Sequence, residues 1–278
     1  MATKKLICFD LDGTLLNSQR QISPLNIEVL KSLDQAGHVV SIATGRLYKS
    51  ACKIRHAVPT KLEIICSNGA VIESGGKIIR RDQIPPKILK GLYSLAKDHD
   101  LSLAFDSLYA VYHTQLGWTF RMSYFSNVIN KGSLSIRNVH VRNLDQYMKY
   151  APYYINGIVI SHTSPERIAA LRLELEAMDL FNIESSAHNN VEIIPRNSNK
   201  GSAALILAQR HGIDPEDIIG FGDGENDLKL IETAGIGIAM GNASDLLKSR
   251  ADLIIGDHNS DAIAKALEDL LDLKIGTP

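Results

Sequence analysis

Short, wholly apolar runs alternate with amphipathic stretches over the first 82 residues. This is the pattern of a parallel sheet whose strands are covered on both faces. Leu6–Phe9 reads as a central strand. Ser23 is placed to cap a helix opened by Pro24, with an apolar stripe of Leu25, Val29, Leu33 and Ala36 and a stop at Gly37. Val39–Ala43 reads as the next strand, Arg46–Ala57 as a second helix and Leu62–Cys66 as a third strand. Ala70–Glu73 and Lys77–Arg80 flank Ser74-Gly75-Gly76 as a hairpin.

Pro85-Pro86 marks a change of character. From there to about His188 the pattern reads helix, two strands, helix and a polar stretch, then a strand (Tyr154–Ile160), a helix (Pro165–Met178) and a strand (Phe181–Ser186). Most of the tyrosines and the single tryptophan, Trp118, fall in this segment and supply packing area for a second core. After Pro195 the alternation returns: helix Gly201–His211, strand Ile218–Phe221, helix Asp227–Ala234, strand Ile236–Met240, then Asp252–Ile255 and Asp261–Leu273. The expected fold class is therefore α/β: a doubly wound, Rossmann-like parallel sheet built from residues 1–82 and 190–278, with an α+β domain, residues 83–189, inserted into it.

Composition narrows the function without naming it. Across 278 residues, 30 basic side chains face 31 acidic ones, so no global field favours nucleic acid or an anionic membrane. No apolar run approaches the ~18 residues of a spanning helix, and Asp10 cuts short the only apolar run near the N-terminus. Cys8, Cys52 and Cys66 form neither a disulfide framework nor a C-x-x-C zinc pair. The expectation is a cytoplasmic protein with reduced thiols, a monomer or small homo-oligomer, with no nucleic-acid or membrane partner.

The chemistry concentrates at strand exits, where ligands collect in open α/β sheets. Phe9-Asp10-Leu11-Asp12-Gly13-Thr14 sets two carboxylates two residues apart at the end of a buried strand, and clustered carboxylates invite a hard cation such as Mg²⁺. Ala43-Thr44-Gly45-Arg46 joins a hydroxyl to the free amides of a helix start, a seat for phosphate. Lys200-Gly201 opens another helix. Gly220-Phe221-Gly222-Asp223-Gly224-Glu225-Asn226-Asp227 places three acids and three glycines at one strand end, a repulsive arrangement that a bound cation would offset. Four such exits on one sheet should converge around a phosphoryl group, with a carboxylate placed to attack it.

In the order and spacing of these motifs the chain resembles a haloacid dehalogenase-superfamily phosphatase of the Cof type (subclass IIB). Ser67-Asn68-Gly69-Ala70, Gly235-Ile236-Gly237-Ile238-Ala239-Met240-Gly241-Asn242-Ala243 and Ala251-Asp252 extend the likeness over essentially the whole chain, with one departure at Asn199, where relatives often carry serine. The resemblance implies a Mg²⁺-dependent phosphatase of small phosphorylated metabolites, sugar phosphates above all. Asp10 would be the nucleophile that becomes an aspartyl-phosphate, and Asp12 the general acid and base with its carbonyl on the metal. Thr44 and Lys200 would be catalytic and hold the phosphoryl oxygens with Leu11, Gly45 and Asn226. Asp223 would complete the metal shell and Asp227 would brace it. The inserted segment would be a C2-type cap carrying substrate choice, with His113, Trp118, Arg121, Arg142 and His188 as its polar and stacking candidates. A phosphomutase or phosphotransferase using the same aspartyl-phosphate, and a catalytically silent sensor of phosphorylated ligands, are the alternatives left open.

Overall fold

The computed structural model describes residues 3–58, 60–114, 136–160, 165–184 and 190–273. In chain order the first elements are β1 (Leu6–Phe9), α1 (Pro24–Gln35), β2 (Val39–Ala43), α2 (Tyr48–Ala51), β3 (Glu63–Cys66), β4 (Val71–Ser74) and β5 (Lys77–Arg81). Then come α3 (Pro86–Asp98), β6 (Ser102–Asp106), β7 (Ala110–His113), β8 (Arg137–His140), α4 (Leu144–Tyr150), β9 (Asn156–Ile160), α5 (Pro165–Ala177), β10 (Phe181–Glu184) and β11 (Asn190–Pro195). The chain closes with α6 (Lys200–His211), β12 (Ile218–Gly222), α7 (Leu228–Thr233), β13 (Ile236–Ala239), α8 (Asp245–Lys248), β14 (Leu253–Ile254) and α9 (Ala262–Leu271). No helix among the described residues is long and apolar enough to cross a membrane.

The chain divides into two compact units: residues 1–45, 52–79 and 199–278, and residues 46–51 and 80–198. The first unit carries a sheet in the order β14-β13-β12-β1-β2-β3-β4-β5. Strands β14 through β3 run parallel, and β4 turns back antiparallel to β3, so the expected parallel sheet is mixed at one edge. That edge is a hairpin, and a hairpin can only pair antiparallel. From β1 the strand order runs outward through β2 and β3 on one side and through β12, β13 and β14 on the other. The crevice between β1 and β12 is thus the topological switch point, the place where such sheets bind ligands.

Local sequence explains most of this unit. The side chain of Ser23 accepts the amide of Asn26 and Pro24 opens α1, as the cap pattern requires. The buried stripe is Val29, Leu30 and Leu33, whereas Leu25 is half-buried and Ala36 exposed. The helix expected over Arg46–Ala57 is instead the single turn of α2 followed by a 3-10 stretch, Cys52–His56. Its two halves serve different units: Leu47 packs with Ala104, Val111 and Ile136 in the second, whereas Cys52–His56 belongs to the first.

The second unit has its own sheet, β10-β11-β9-β6-β7-β8, antiparallel except between β7 and β8. A separate core packs beneath it, with Phe105, Tyr147 and Tyr154 buried. Strand β8 and helix α4 form where a polar stretch was expected. The sequence Arg137-Asn138-Val139-His140 lacks apolar alternation because the strand is an incompletely buried edge, and α4 is announced only by Asn143, whose side chain accepts the amide of Gln146. Strand β11 pairs with β9 and β10, so the second unit runs to residue 198 where the sequence pattern put its end at 189. The helix read between β7 and the polar stretch lies outside the described residues, as do Trp118, Arg121 and His188. His113 is buried and stacked on His140, and Arg142 is exposed beside the start of α4.

Candidate active site

The site is built on β1 and β12. Their register aligns Phe9 with Phe221, whose rings stack with centroids 4.9 Å apart, so Asp10 and Asp223 leave the sheet side by side. The amide of Asp10 still donates to the carbonyl of Phe221 at 3.0 Å. Beyond it the chain curls over: the carbonyls of Asp10 and Leu11 accept from the amides of Leu15 and Leu16. Gly13 makes the turn with φ +88°, and a Cβ there would stand 2.3 Å from Oδ2 of Asp223. Only glycine allows this loop to lie against that carboxylate.

Asp10, Asp223 and Asp227 each bring a carboxylate oxygen to one point, the three atoms within 4.8 Å of one another. Lys200 is completely buried among them, its Nζ 2.7 Å from Oδ1 of Asp10 and 2.5 Å from Oδ1 of Asp227. The oxygens are already sorted by their partners. Oδ2 of Asp227 accepts the amides of Asp223 and Gly224, so this side chain ties its own loop and Lys200 together. Asp223 accepts from the Thr14 hydroxyl at 2.8 Å and from the Asn242 amide at 3.3 Å. Oδ2 of Asp10 accepts no hydrogen bond from the described residues.

Three carboxylates around one ammonium leave an excess of negative charge in a buried place. Burial pushes Asp10 well above the ordinary carboxylate range; Lys200 pulls it back, and Asp227 and Asp223 push it up again. Burial also pushes Asp223 up to about 6, with Asp227 adding to it and Thr14 opposing. For Lys200 burial alone would lower the pKa, but Asp10 and Asp227 outweigh it and hold the ammonium charged. Hard oxygen donors with unbalanced charge fit a divalent cation such as Mg²⁺.

The other residues named from sequence sit on the loops that leave β1, β2 and β12. Thr44 is buried just past β2, its carbonyl accepting the Asn68 amide. The Asn68 side-chain oxygen lies against Gly45 and accepts from the Asn226 amide at 3.0 Å. Asp12 is exposed and its carboxylate is outside the trio, while Leu11 is buried with its backbone in the turn.

The convergence expected from four exits of one sheet needs correcting for Lys200, because the strand before it, β11, belongs to the other sheet. Lys200 is instead delivered by α6. Asn199 caps that helix through a reciprocal pair with Ser202, so the departure from serine preserves the cap. The turn Ser67-Asn68-Gly69, three successive residues with positive φ, presses on it: a Cβ on Gly69 would stand 2.2 Å from the Asn199 carbonyl oxygen. Thr14, Asn68 and Asn242 were given no chemical role from sequence. Their signal was present only as motif membership, in D-x-D-G-T, S-N-G-A and M-G-N-A.

Comparison with known proteins agrees with this geometry. The family model described as haloacid dehalogenase-like hydrolase matches residues 7–267. The pyridoxal phosphate phosphatase YbhA of Escherichia coli (strain K12) is 28% identical over 269 residues, covering 95% of this chain and 97% of its own. The 5-amino-6-(5-phospho-D-ribitylamino)uracil phosphatase YitU of Bacillus subtilis (strain 168) is 28% identical over 287 residues, covering 98% and 100%. A solved haloacid dehalogenase-like hydrolase from B. subtilis superposes with a TM-score of 0.84 at 27% identity, covering 96% of this chain and 100% of that one. The chain belongs to the haloacid dehalogenase-like hydrolase family, as a phosphatase of the Cof type.

Proposed function

We propose that the chain is a magnesium-dependent phosphatase of small phosphorylated metabolites, sugar phosphates among them, working through an aspartyl-phosphate on Asp10. The observation that carries this reading is the Asp10 carboxylate itself. It is buried, one oxygen is held by Lys200, and the other accepts no hydrogen bond from the described residues while lying in a cluster suited to a cation. Asp10 and Asp223, with the Asp12 carbonyl, would hold Mg²⁺. When bound, the ion neutralises charge on the phosphoryl oxygens as the transition state forms.

This chain's residues supply the rest. The free Asp10 oxygen attacks phosphorus, and the bond from phosphorus to the ester oxygen breaks. Asp12, exposed and two residues on, gives its proton to the leaving oxygen. In the second step ionised Asp12 takes a proton from water, the water oxygen attacks phosphorus, and the bond to Asp10 breaks to release orthophosphate. Covalent catalysis thus divides one hard displacement into two. Lys200, Thr44, Asn226 and the amides of Leu11 and Gly45 hold the phosphoryl oxygens. Residues 80–198, a separate unit inserted between the Thr44 and Lys200 motifs, would carry substrate choice, as expected of an inserted cap.

Relatives named as phosphatases of pyridoxal phosphate and of 5-amino-6-(5-phospho-D-ribitylamino)uracil support a small phosphorylated metabolite as the substrate. The test is orthophosphate release across sugar, nucleotide and cofactor phosphates with Mg²⁺ and with EDTA, run beside Asp10→Asn. Release that needs Mg²⁺ and vanishes in Asp10→Asn supports the reading. No release from any ester, or release that survives in Asp10→Asn, overturns it. Phosphate retained on a sugar bisphosphate would identify a transferase instead.

A further inference from the structure

We infer that Asn242 is a positioning residue for the cation-facing carboxylate Asp223. This rests on the reading that Asp10 and Asp223 hold a divalent ion. The Asn242 carboxamide spans three separate segments. Its Nδ2 donates to the Gly13 carbonyl at 2.8 Å and to Oδ2 of Asp223 at 3.3 Å, and its Oδ1 accepts the His258 amide at 3.0 Å. One side chain therefore fixes the turn after β1, the carboxylate after β12 and the segment after β14.

The consequence for Asp223 is specific. Thr14 donates to its Oδ1 and Asn242 to its Oδ2, so the two donors clamp the carboxylate plane from both ends. Gly13 backs directly onto the same carboxylate, so closely that a Cβ there would overlap it. Without Asn242, repulsion from Asp10 and Asp227 would be free to swing the Asp223 carboxylate out to solvent, since it is only partly buried. Partners that orient a metal-binding carboxylate commonly carry roughly 10–100-fold of the metal affinity.

A neighbouring tie provides the control. Asn259 Oδ1 accepts the Ser18 amide at 2.9 Å, joining the same two segments without touching Asp223. Mn²⁺ is titrated into wild type, Asn242→Ala, Asn242→Gln and Asn259→Ala without substrate, with free Mn²⁺ read by electron paramagnetic resonance and melting temperature recorded in EDTA. The expected result is a dissociation constant raised about tenfold or more in both Asn242 variants and unchanged in Asn259→Ala. Asn242→Gln keeps the amide chemistry but displaces it, so it reports on position if the alanine variant folds poorly. Wild-type affinity in the Asn242 variants, or an equal loss in Asn259→Ala, overturns the inference while leaving the proposed function intact. Failure of wild type to bind Mn²⁺ overturns both.

Discussion

Lys200 and Asp10 are 190 residues apart in the chain and 2.7 Å apart in space, the ammonium fully buried. A lysine at the first position of a helix faces the positive end of the helix dipole, so α6 opposes this charge and the carboxylates must hold it. Replacing Lys200 with Met would leave Asp10 and Asp227 buried without a counter-charge. Breaking such a pair costs about 3–5 kcal/mol. Urea unfolding of Lys200→Met in EDTA should show a loss of this order at pH 8. The loss should shrink at pH 5, where protonation can neutralise the stranded carboxylates. Turnover should fall at least about a hundredfold, as for removal of a preorganised charge partner. An equal loss of stability at both pH values would mean that Lys200 acts through packing alone.

Asp223 contributes, beside Asp10, to the pH dependence of the cation site. Its folded-state pKa of about 6 lies above the ordinary 3.8, so between those values the native state binds more protons than the unfolded one. Stability of the metal-free protein should therefore fall as pH rises from about 4 to 6. A cation binds the ionised form, so stabilisation by Mg²⁺ should grow over the same interval. Melting curves from pH 4.5 to 7.5, with EDTA and with Mg²⁺, measure both slopes. A metal-free stability that rises through this window would contradict the assignment.

What could be read from the residues alone was whatever local chemistry announces. Asp10 and Asp223 stood out because they cluster with other acids and glycines at the ends of buried strands, and both lie at strand exits as expected; the strand order makes those exits the switch point. Lys200 was found by motif but through the wrong route, since pattern cannot tell that β11 pairs with β9 and β10 and not with the first sheet. The Lys200–Asp227 contact was invisible because ion pairing depends on how α6 meets the loop after β12. Strand β8 was hidden for a different reason: an edge strand can be polar, and its partner β7 decides its conformation. The helix expected after Gly45 is divided at residue 51, where the segment passes from one unit to the other, a tertiary division with no local signature.

Gly69 should be intolerant of any side chain. Its φ is +88°, and a Cβ would meet the Asn199 carbonyl oxygen at 2.2 Å, a backbone atom that cannot move without shifting the N-terminus of α6. Gly69→Ala should destabilise by more than the ~1–3 kcal/mol of backbone strain alone, and kcat should fall with the displacement of Lys200. Urea unfolding and steady-state kinetics on the folded fraction check the two effects. Normal kcat in that fraction would show that the turn supports stability only.

Asp12 separates the two chemical steps. If it protonates the leaving oxygen and then activates water, Asp12→Asn should cost roughly 10²–10⁴-fold on an alkyl phosphate such as a sugar phosphate. A weakly basic leaving group such as p-nitrophenolate departs without a proton, so the first step on p-nitrophenyl phosphate should be nearly spared. The second step still lacks its base, and the aspartyl-phosphate should accumulate. Rapid-mixing kinetics of Asp12→Asn should then show a burst of p-nitrophenolate close to one equivalent per active site, followed by a slow steady state. The same burst should be absent with the alkyl phosphate, whose first step is the slow one. Acid-quenched protein from the p-nitrophenyl phosphate reaction should carry phosphate on Asp10. A variant that slows both substrates equally, with neither burst nor trapped phosphate, would move the acid–base role away from Asp12.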